Sequence, residues 1–246
     1  MAGKFVTIEG CEGVGKSTLI EGLKKYFAAT NTDAVFTREP GGTAVAEKIR
    51  AVILDAANSQ ITPVTELLLY AAARAQHTEE LIKPALKAGK IVVCDRYSDS
   101  TLAYQGYARG LSKSLCRTLN EIAQQNQKID LTVFLDLSPE KGFLRKGGAD
   151  QSDRLEKENL GFHKRVYEGF CDIARSDSER VVAVEISRLA VLLGAHQGLR
   201  IEALATPCLR HCKKQAEQEH QQYAIRKSRH IQPKERKSAA KVIKIF

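Results

Sequence analysis

Nowhere in the chain do 18 apolar residues run together, so it offers no membrane-spanning helix. Proline is scarce, at 6 of 246 residues, and the 17 glycines follow no collagen-like period; a broadly disordered chain is equally excluded. There is no compact cysteine framework either. Cys11, Cys94, Cys116, Cys171, Cys208 and Cys212 are scattered along a long chain, the pattern of free thiols in a reducing cytoplasm. The opening Met-Ala-Gly-Lys-Phe-Val-Thr-Ile-Glu sets charge within an apolar run. It reads as a buried strand and not as a secretory leader. What the chain does have is a hydrophobic fraction of 43%, enough for a sizeable core in one large or two small domains.

Charge divides the sequence. Residues 188–246 hold 13 Lys+Arg against 4 Asp+Glu, a surplus equal to the whole formal net charge of +9, so residues 1–187 are balanced. A main domain over 1–187 and a basic C-terminal segment over 188–246 follow. In that segment Arg188–Leu209 is mildly apolar and reads as one more helix. His211–Phe246 reads as a weakly ordered, solvated tail. Cys208, His211 and Cys212 cluster there, but a structural zinc site needs four ligands and no second cluster is present. The basic run from Arg226 to Lys244 could contact nucleic acid by counterion release, though it lacks interleaved aromatics for base stacking.

Within 1–187, five short apolar runs alternate with longer helical patterns: Phe5–Glu9, Ala34–Arg38, Ile91–Asp95, Leu131–Leu137 and Arg180–Ile186. Runs that are apolar nearly throughout suit strands covered on both faces. The intervening lengths suit crossover helices, which predicts an α/β, three-layer fold with five parallel strands flanked by helices. Pro63–Ala88 reads as a long helix bent or broken at Pro84 and closed by Gly89. In Ser152–Arg175 the apolar positions Leu155, Phe162, Val166, Phe170 and Ile173 share one helical face, with Asp153 and Glu156 as a capping box. No internal repeat is present.

Gly10-Cys11-Glu12-Gly13-Val14-Gly15-Lys16-Ser17 matches the phosphate-loop pattern at every fixed position, between a strand and the helical pattern Ser17–Ala28. Glycines let backbone N–H groups curl round phosphate oxygens, and a helix N-terminus adds its positive dipole end. Lys16 supplies a point charge to the β/γ-phosphates and the Ser17 hydroxyl is placed for Mg²⁺. Asp95, ending an apolar strand, is the matching carboxylate for the metal. Arg38, Arg50, Arg74, Arg96, Arg145 and Arg154 fall at element edges, where bidentate guanidinium groups suit a phosphorylated acceptor.

Arg38-Glu39-Pro40-Gly41-Gly42-Thr43, then Arg50, Arg74 and Asp95-Arg96-Tyr97-x-x-Ser100-x-x-Ala103-Tyr104-Gln105-Gly106, resemble bacterial thymidylate kinases. Ile8-Glu9-Gly10 and Asp153-Arg154-x-Glu156 agree, and the likeness runs in register from about residue 3 to 187. It implies a P-loop nucleoside monophosphate kinase fold, a cytoplasmic homodimer, and Mg²⁺-dependent transfer from ATP to dTMP. By family pattern Gly10, Cys11, Glu12, Gly13, Val14, Gly15, Lys16, Ser17 and Thr18 bind ATP, and Ser17 and Asp95 hold the metal. Arg50 and Arg96 grip the monophosphate, with Arg38 nearby. Arg74 reaches the thymine and Tyr70 stacks on it, although Tyr70 reads equally as a core aromatic. Ser100 and Thr101 sit near the substrate, Tyr104 crowds the sugar 2′ position, Gln105 lies beside them, and Glu12 faces the 3′-hydroxyl. Lys16, Arg96, Asp95, Glu12 and Arg145 carry the catalysis.

Lys141–Asp153 corresponds to a mobile lid in that family, with Gly142, Gly147 and Gly148 as hinges and Arg145, Lys146 and then Arg154 as its cations. Gly13 matches the subgroup that supplies its catalytic arginine from the lid. Past Ser187 the likeness fails, so the adenine contacts have no counterpart in the sequence. The remaining alternatives are a kinase for another acceptor, such as dUMP or a deoxynucleoside, or a non-catalytic ATP- and nucleic-acid-binding protein.

Overall fold

The computed structural model describes residues 3–150 and 152–185. All five expected strands are present: β1 (Lys4–Glu9), β2 (Ala34–Arg38), β3 (Ile91–Asp95), β4 (Leu131–Asp136) and β5 (Val181–Glu185). They form one wholly parallel sheet in the order β2-β3-β1-β4-β5. Alternation explains its burial. Phe5, Thr7 and Glu9 point to one face of β1 and Val6 and Ile8 to the other, and all five are fully buried, so both faces are covered. The polar members are paired: Thr7 and Thr132, in register on β1 and β4, share a 2.7 Å hydroxyl hydrogen bond. The edge strands β2 and β5 leave most of their side chains partly in solvent, whereas the three central strands do so only at their ends.

Eight α-helices, with π-helical stretches at Thr78–Ile82 and Leu102–Ala108, connect them among the described residues: α1 (Lys16–Ala29), α2 (Ala44–Leu54), α3 (Pro63–His77), α4 (Lys83–Lys87), α5 (Ser98–Thr101), α6 (Lys113–Gln124), α7 (Pro139–Lys146) and α8 (Leu160–Ser176). One core cluster joins Phe5, Val92, Cys94 and Tyr97 to Ile82 and Ala85, with Phe5 and Tyr97 edge-on at 4.8 Å. A second gathers Phe134, Phe162, Phe170 and Tyr104, with Phe134 and Phe170 stacked at 5.5 Å. Because β1 sits between β3 and β4, the chain leaves β1 at the reversal of strand order, where a crevice opens beyond the strands' carboxyl ends.

Three expectations need correction. The helix over 63–88 is not broken at Pro84. It widens to π-helical hydrogen bonding at Thr78–Ile82 and resumes as α4, with Pro84 in that helix's first turn, where its missing N–H leaves little unpaired. Gly89, at φ 79°, does close it. The helix expected over Ser152–Arg175 begins only at Leu160, because Asn159 caps it through a 2.9 Å bond from Phe162 N–H. Asp153 does accept from the N–H of Leu155 and of Glu156, but Glu156 does not reciprocate: its carboxylate takes Lys146 at 2.6 Å and the Asp150 N–H at 2.7 Å. The lid is shorter than its glycines suggested, since α7 runs through Gly142 to Lys146 and only Gly147 and Gly148 have positive φ with open space around them. The expected end of the fifth strand at Ile186, the helix and basic tail of 188–246, and the Cys208/His211/Cys212 cluster lie outside the described residues.

Candidate active site

A cavity of about 490 Å³ opens at the carboxyl ends of β1 and β3. Its floor is the turn from β1 into α1. Gly13 and Gly15 adopt φ of 69° and 98°, left-handed conformations that only glycine takes without strain. The α1 N-terminus has no side-chain cap and no acidic residue in its first turn, which leaves its free N–H groups to an anion. Lys16 is 8% exposed, and its Nζ donates to Gly10 O at 3.1 Å and Cys11 O at 2.8 Å. Burial and the nearby Arg96 pull its pKa down, so an incoming anion would offset an unfavourable charge.

The wall opposite the loop is basic. Arg38 and Arg50 share one acceptor, the Pro40 carbonyl, at 3.0 and 2.8 Å. Burial and Arg38 lower the Arg50 pKa, the mark of a cation short of anionic partners. Arg96 ends β3 in the left-handed region at φ 66°, a conformation costing a non-glycine residue about 1–2 kcal/mol. Its guanidinium holds it there by donating to Gly10 O at 2.8 Å, to Ser100 Oγ at 3.3 Å and to the Glu12 carboxylate. Burial by itself would raise the Glu12 carboxyl, but Arg96, Lys16 and Lys146 hold it down at about 2. The loop is thus tied to Arg96 through the Gly10 carbonyl and the Glu12 carboxylate.

Every residue expected at the site lines this cavity except Gly10 and Cys11, whose carbonyls face Lys16 instead. Asp95 Oδ1 is buried without a hydrogen-bond partner among the described residues, and Ser17 lines the same space. Thr101 Oγ1 is likewise buried and unpartnered. Gln105 donates to Glu66 at 2.9 Å. Arg74 is 1% exposed and reaches the cavity from behind, with Glu39 at 2.8 Å, Asn120 at 2.6 Å and Tyr97 O at 3.1 Å as acceptors. Tyr104 is packed under Arg96, 5.3 Å from ring centre to guanidinium carbon.

The lid reading changes in two places. Arg154 is not a lid cation: it is buried, pairs with Glu66 at 2.7 Å and donates to Ile53 O at 2.9 Å. Gly142 is not a hinge. A Cβ placed there would lie 2.2 Å from Glu12 O, and one on Gly13 would lie 2.0 Å from Gly142 O. Helix α7 therefore rests backbone to backbone on the phosphate loop. That contact excludes any side chain at position 13 and brings Arg145 over the loop, within 3.9 Å of a Cβ built on Gly15.

Sequence reasoning gave no site role to Glu39, Leu54, Leu155 or His163, which also line the cavity, and read Glu156 only as a cap. Glu39 stood inside a quoted motif, and its value as an anchor for Arg74 depends on a contact 35 residues away.

Comparison with known proteins agrees with this geometry. The family profile described as "Thymidylate kinase" matches residues 8–192. A "Thymidylate kinase" of Desulfosudis oleivorans is 46% identical over 188 residues, covering 74% of this chain and 88% of the relative. One of Nostoc punctiforme is 43% identical over 211 residues, covering 84% of this chain and all of the relative. Among solved structures, thymidylate kinase from Ehrlichia chaffeensis superposes with a TM-score of 0.62 at 33% identity, covering 75% of this chain and 92% of its own.

Proposed function

The chain belongs to the thymidylate kinase family, and from that membership we propose that it transfers the γ-phosphoryl group of ATP to dTMP, giving ADP and dTDP. One observation carries this beyond the family name: the phosphate loop and the Arg38–Arg50–Arg96 cluster face each other across a single cavity. Two anionic groups can meet there end to end. The attacking dTMP oxygen is already ionised near neutral pH, so no strong base is required. An oxygen–phosphorus bond forms as the bond to ADP breaks, and the protein's part is alignment and neutralisation of charge.

In this reading Lys16 and the α1 N–H groups take the ATP phosphates, while Arg50 and Arg96 take the monophosphate. Arg145 approaches the transferring group from above the loop. Tyr104, 5% exposed under Arg96, closes the space a 2′-hydroxyl would need. The orphaned Thr101 hydroxyl and the two Arg74 N–H groups not spent on protein acceptors face the base. The donor set also suits Mg²⁺: a hydroxyl at Ser17 and the unpartnered Asp95 Oδ1 are hard oxygen ligands. Among the described residues no group of three or more His, Cys, Asp or Glu gathers, and Ser17 and Asp95 would hold the ion beside the ATP phosphates. When bound, the ion neutralises phosphate charge.

A homodimer fits an apolar face. Val45 and Val52 on α2, Val64 and Leu68 on α3, and Leu115 and Ile122 on α6 are all exposed, and the three helices are neighbours. No helix among the described residues is long and apolar enough to cross a membrane.

The deciding experiment is ADP release with dTMP, dUMP, dCMP, dGMP and thymidine as acceptors. We expect dTMP to be preferred and thymidine to be inert, because Arg50 and Arg96 find no phosphate on it; equal turnover of thymidine would overturn the reading. A second prediction concerns the glycine contact. Gly142→Ala should lower kcat/KM for ATP by about 5- to 100-fold, the equivalent of about 1–3 kcal/mol of overpacking between two backbones. Its thermal melt should move far less than that of a core variant, since α7 lies at the surface of the fold. Unchanged ATP kinetics would show that α7 need not touch the loop.

A further inference from the structure

Glu9, the last residue of β1, has no part in the roles above and does not line the cavity. It is fully buried in a sheet covered on both faces, where a carboxyl group is costly unless its oxygens are satisfied. A single turn satisfies them. Oε1 accepts from the Tyr97 N–H at 2.8 Å and the Ser100 N–H at 3.3 Å, and Oε2 accepts from the Ser100 hydroxyl at 2.6 Å. These donors stand at the start of α5, where Tyr97 offers no side-chain cap of its own. The cap comes instead from a strand 88 residues earlier in the chain.

The same turn carries Arg96 in its left-handed conformation, which persists only where the surroundings over-determine it. They do so on both sides. The Arg96 N–H donates to Ile8 O at 2.9 Å, and the next N–H along the chain, that of Tyr97, is held by Glu9. The Ser100 hydroxyl closes the ring of contacts: it gives its proton to Glu9 and accepts from the Arg96 guanidinium at 3.3 Å. With Glu9 removed, the turn can relax towards ordinary backbone angles and carry the guanidinium off its Gly10 O anchor. We propose that Glu9 is a positioning residue for the acceptor site, fixing the Arg96–Ser100 turn so that the Arg96 guanidinium meets the monophosphate.

This rests on the dTMP reading, and the experiment keeps the two apart. With the full-length chain, kcat and KM for dTMP would be measured beside the calorimetric Kd for ATP, in wild type, Glu9→Gln, Arg96→Lys and the double variant. Burial and Asp99 push the Glu9 carboxyl up to about 7 against the pull of Arg96, so assays at about pH 8 keep it ionised. Gln retains the Oε1 acceptor but sets an amide donor against the Ser100 hydroxyl. Glu9→Gln should lower kcat/KM for dTMP by about 10-fold, the loss of one charge-assisted hydrogen bond, with the ATP Kd moving less than about 2-fold. In the Arg96→Lys background it should cost less than about 3-fold, because the fork that Glu9 aims is gone. If Glu9→Gln fails to fold, Glu9→Asp, one methylene too short to reach the turn, takes its place with the same expectation. Equal losses on dTMP and ATP would make Glu9 part of the sheet's framework alone, and an equal cost in both backgrounds would detach it from Arg96. Unchanged dTMP constants would leave it without a role. Each of these overturns the proposal and spares the dTMP reading. A wild-type protein that ignores dTMP but phosphorylates another acceptor overturns that reading, and the proposal with it.

Discussion

Lys16→Ala is expected to lower kcat by at least about 10²–10³-fold, the scale of losing one preorganised charge at a transferring group. Among the described residues no other unengaged ammonium lines the cavity. Lys146, also at the cavity, is engaged by Glu156, and Arg145 comes from the lid and not from the loop. The loop itself should survive the change. Among the described residues Lys16 bonds the Gly10 and Cys11 carbonyls alone, and Gly10 O keeps its 2.8 Å bond from Arg96. ADP release should therefore vanish while the thermal melt stays near wild type. Residual turnover within tenfold of wild type would mean that the phosphates bind elsewhere.

The second large effect is on stability. Arg74→Ala should cost about 3–5 kcal/mol, because it strands a buried carboxylate, that of Glu39, whose other partner is His77 at 3.0 Å. It also removes donors from Asn120 and from Tyr97 O, and a guanidinium 5.1 Å from the Tyr97 ring centre. For a chain of this size such a loss lowers Tm by roughly 6–20 °C. Arg74→Lys should recover little of it, since one ammonium cannot span three acceptors set in a guanidinium fork. The melt and the dTMP KM together apportion the residue's work: a normal melt with a raised KM would make Arg74 a pure base reader. The structure favours both effects at once, with three N–H groups holding Glu39, Asn120 and Tyr97 O and two left for the substrate.

Much of this was legible in the linear sequence because it depends on local chemistry. A phosphate loop is contiguous, and glycine's freedom at Gly13 and Gly15 is a property of those residues alone. The five strands announced themselves by composition, since the central strands of a parallel sheet covered on both faces must be apolar nearly throughout. Even Arg50, Arg74 and Arg96 could be picked out from their recurring pattern, although only Arg96 stands at an element edge, Arg50 and Arg74 lying within α2 and α3. Helix starts were harder. Asp153 with Glu156 has the form of a capping box, yet Lys146, ten residues away, offered Glu156 a charged partner, and a charge-assisted bond outweighs a backbone N–H.

What the chain order could not reveal was which charged residues are already taken. Arg145 and Arg154 look alike in sequence, but Glu66, brought up on α3, neutralises Arg154 and leaves Arg145 at the cavity. Gly142 resembles a hinge until the opposing backbone at Glu12 and Gly13 is seen to leave no room for a methyl group. In each case the deciding neighbour is distant along the chain. Sequence thus specified the chemistry on offer, whereas folding selected which groups remain unpaired, because pairing depends on separation in space.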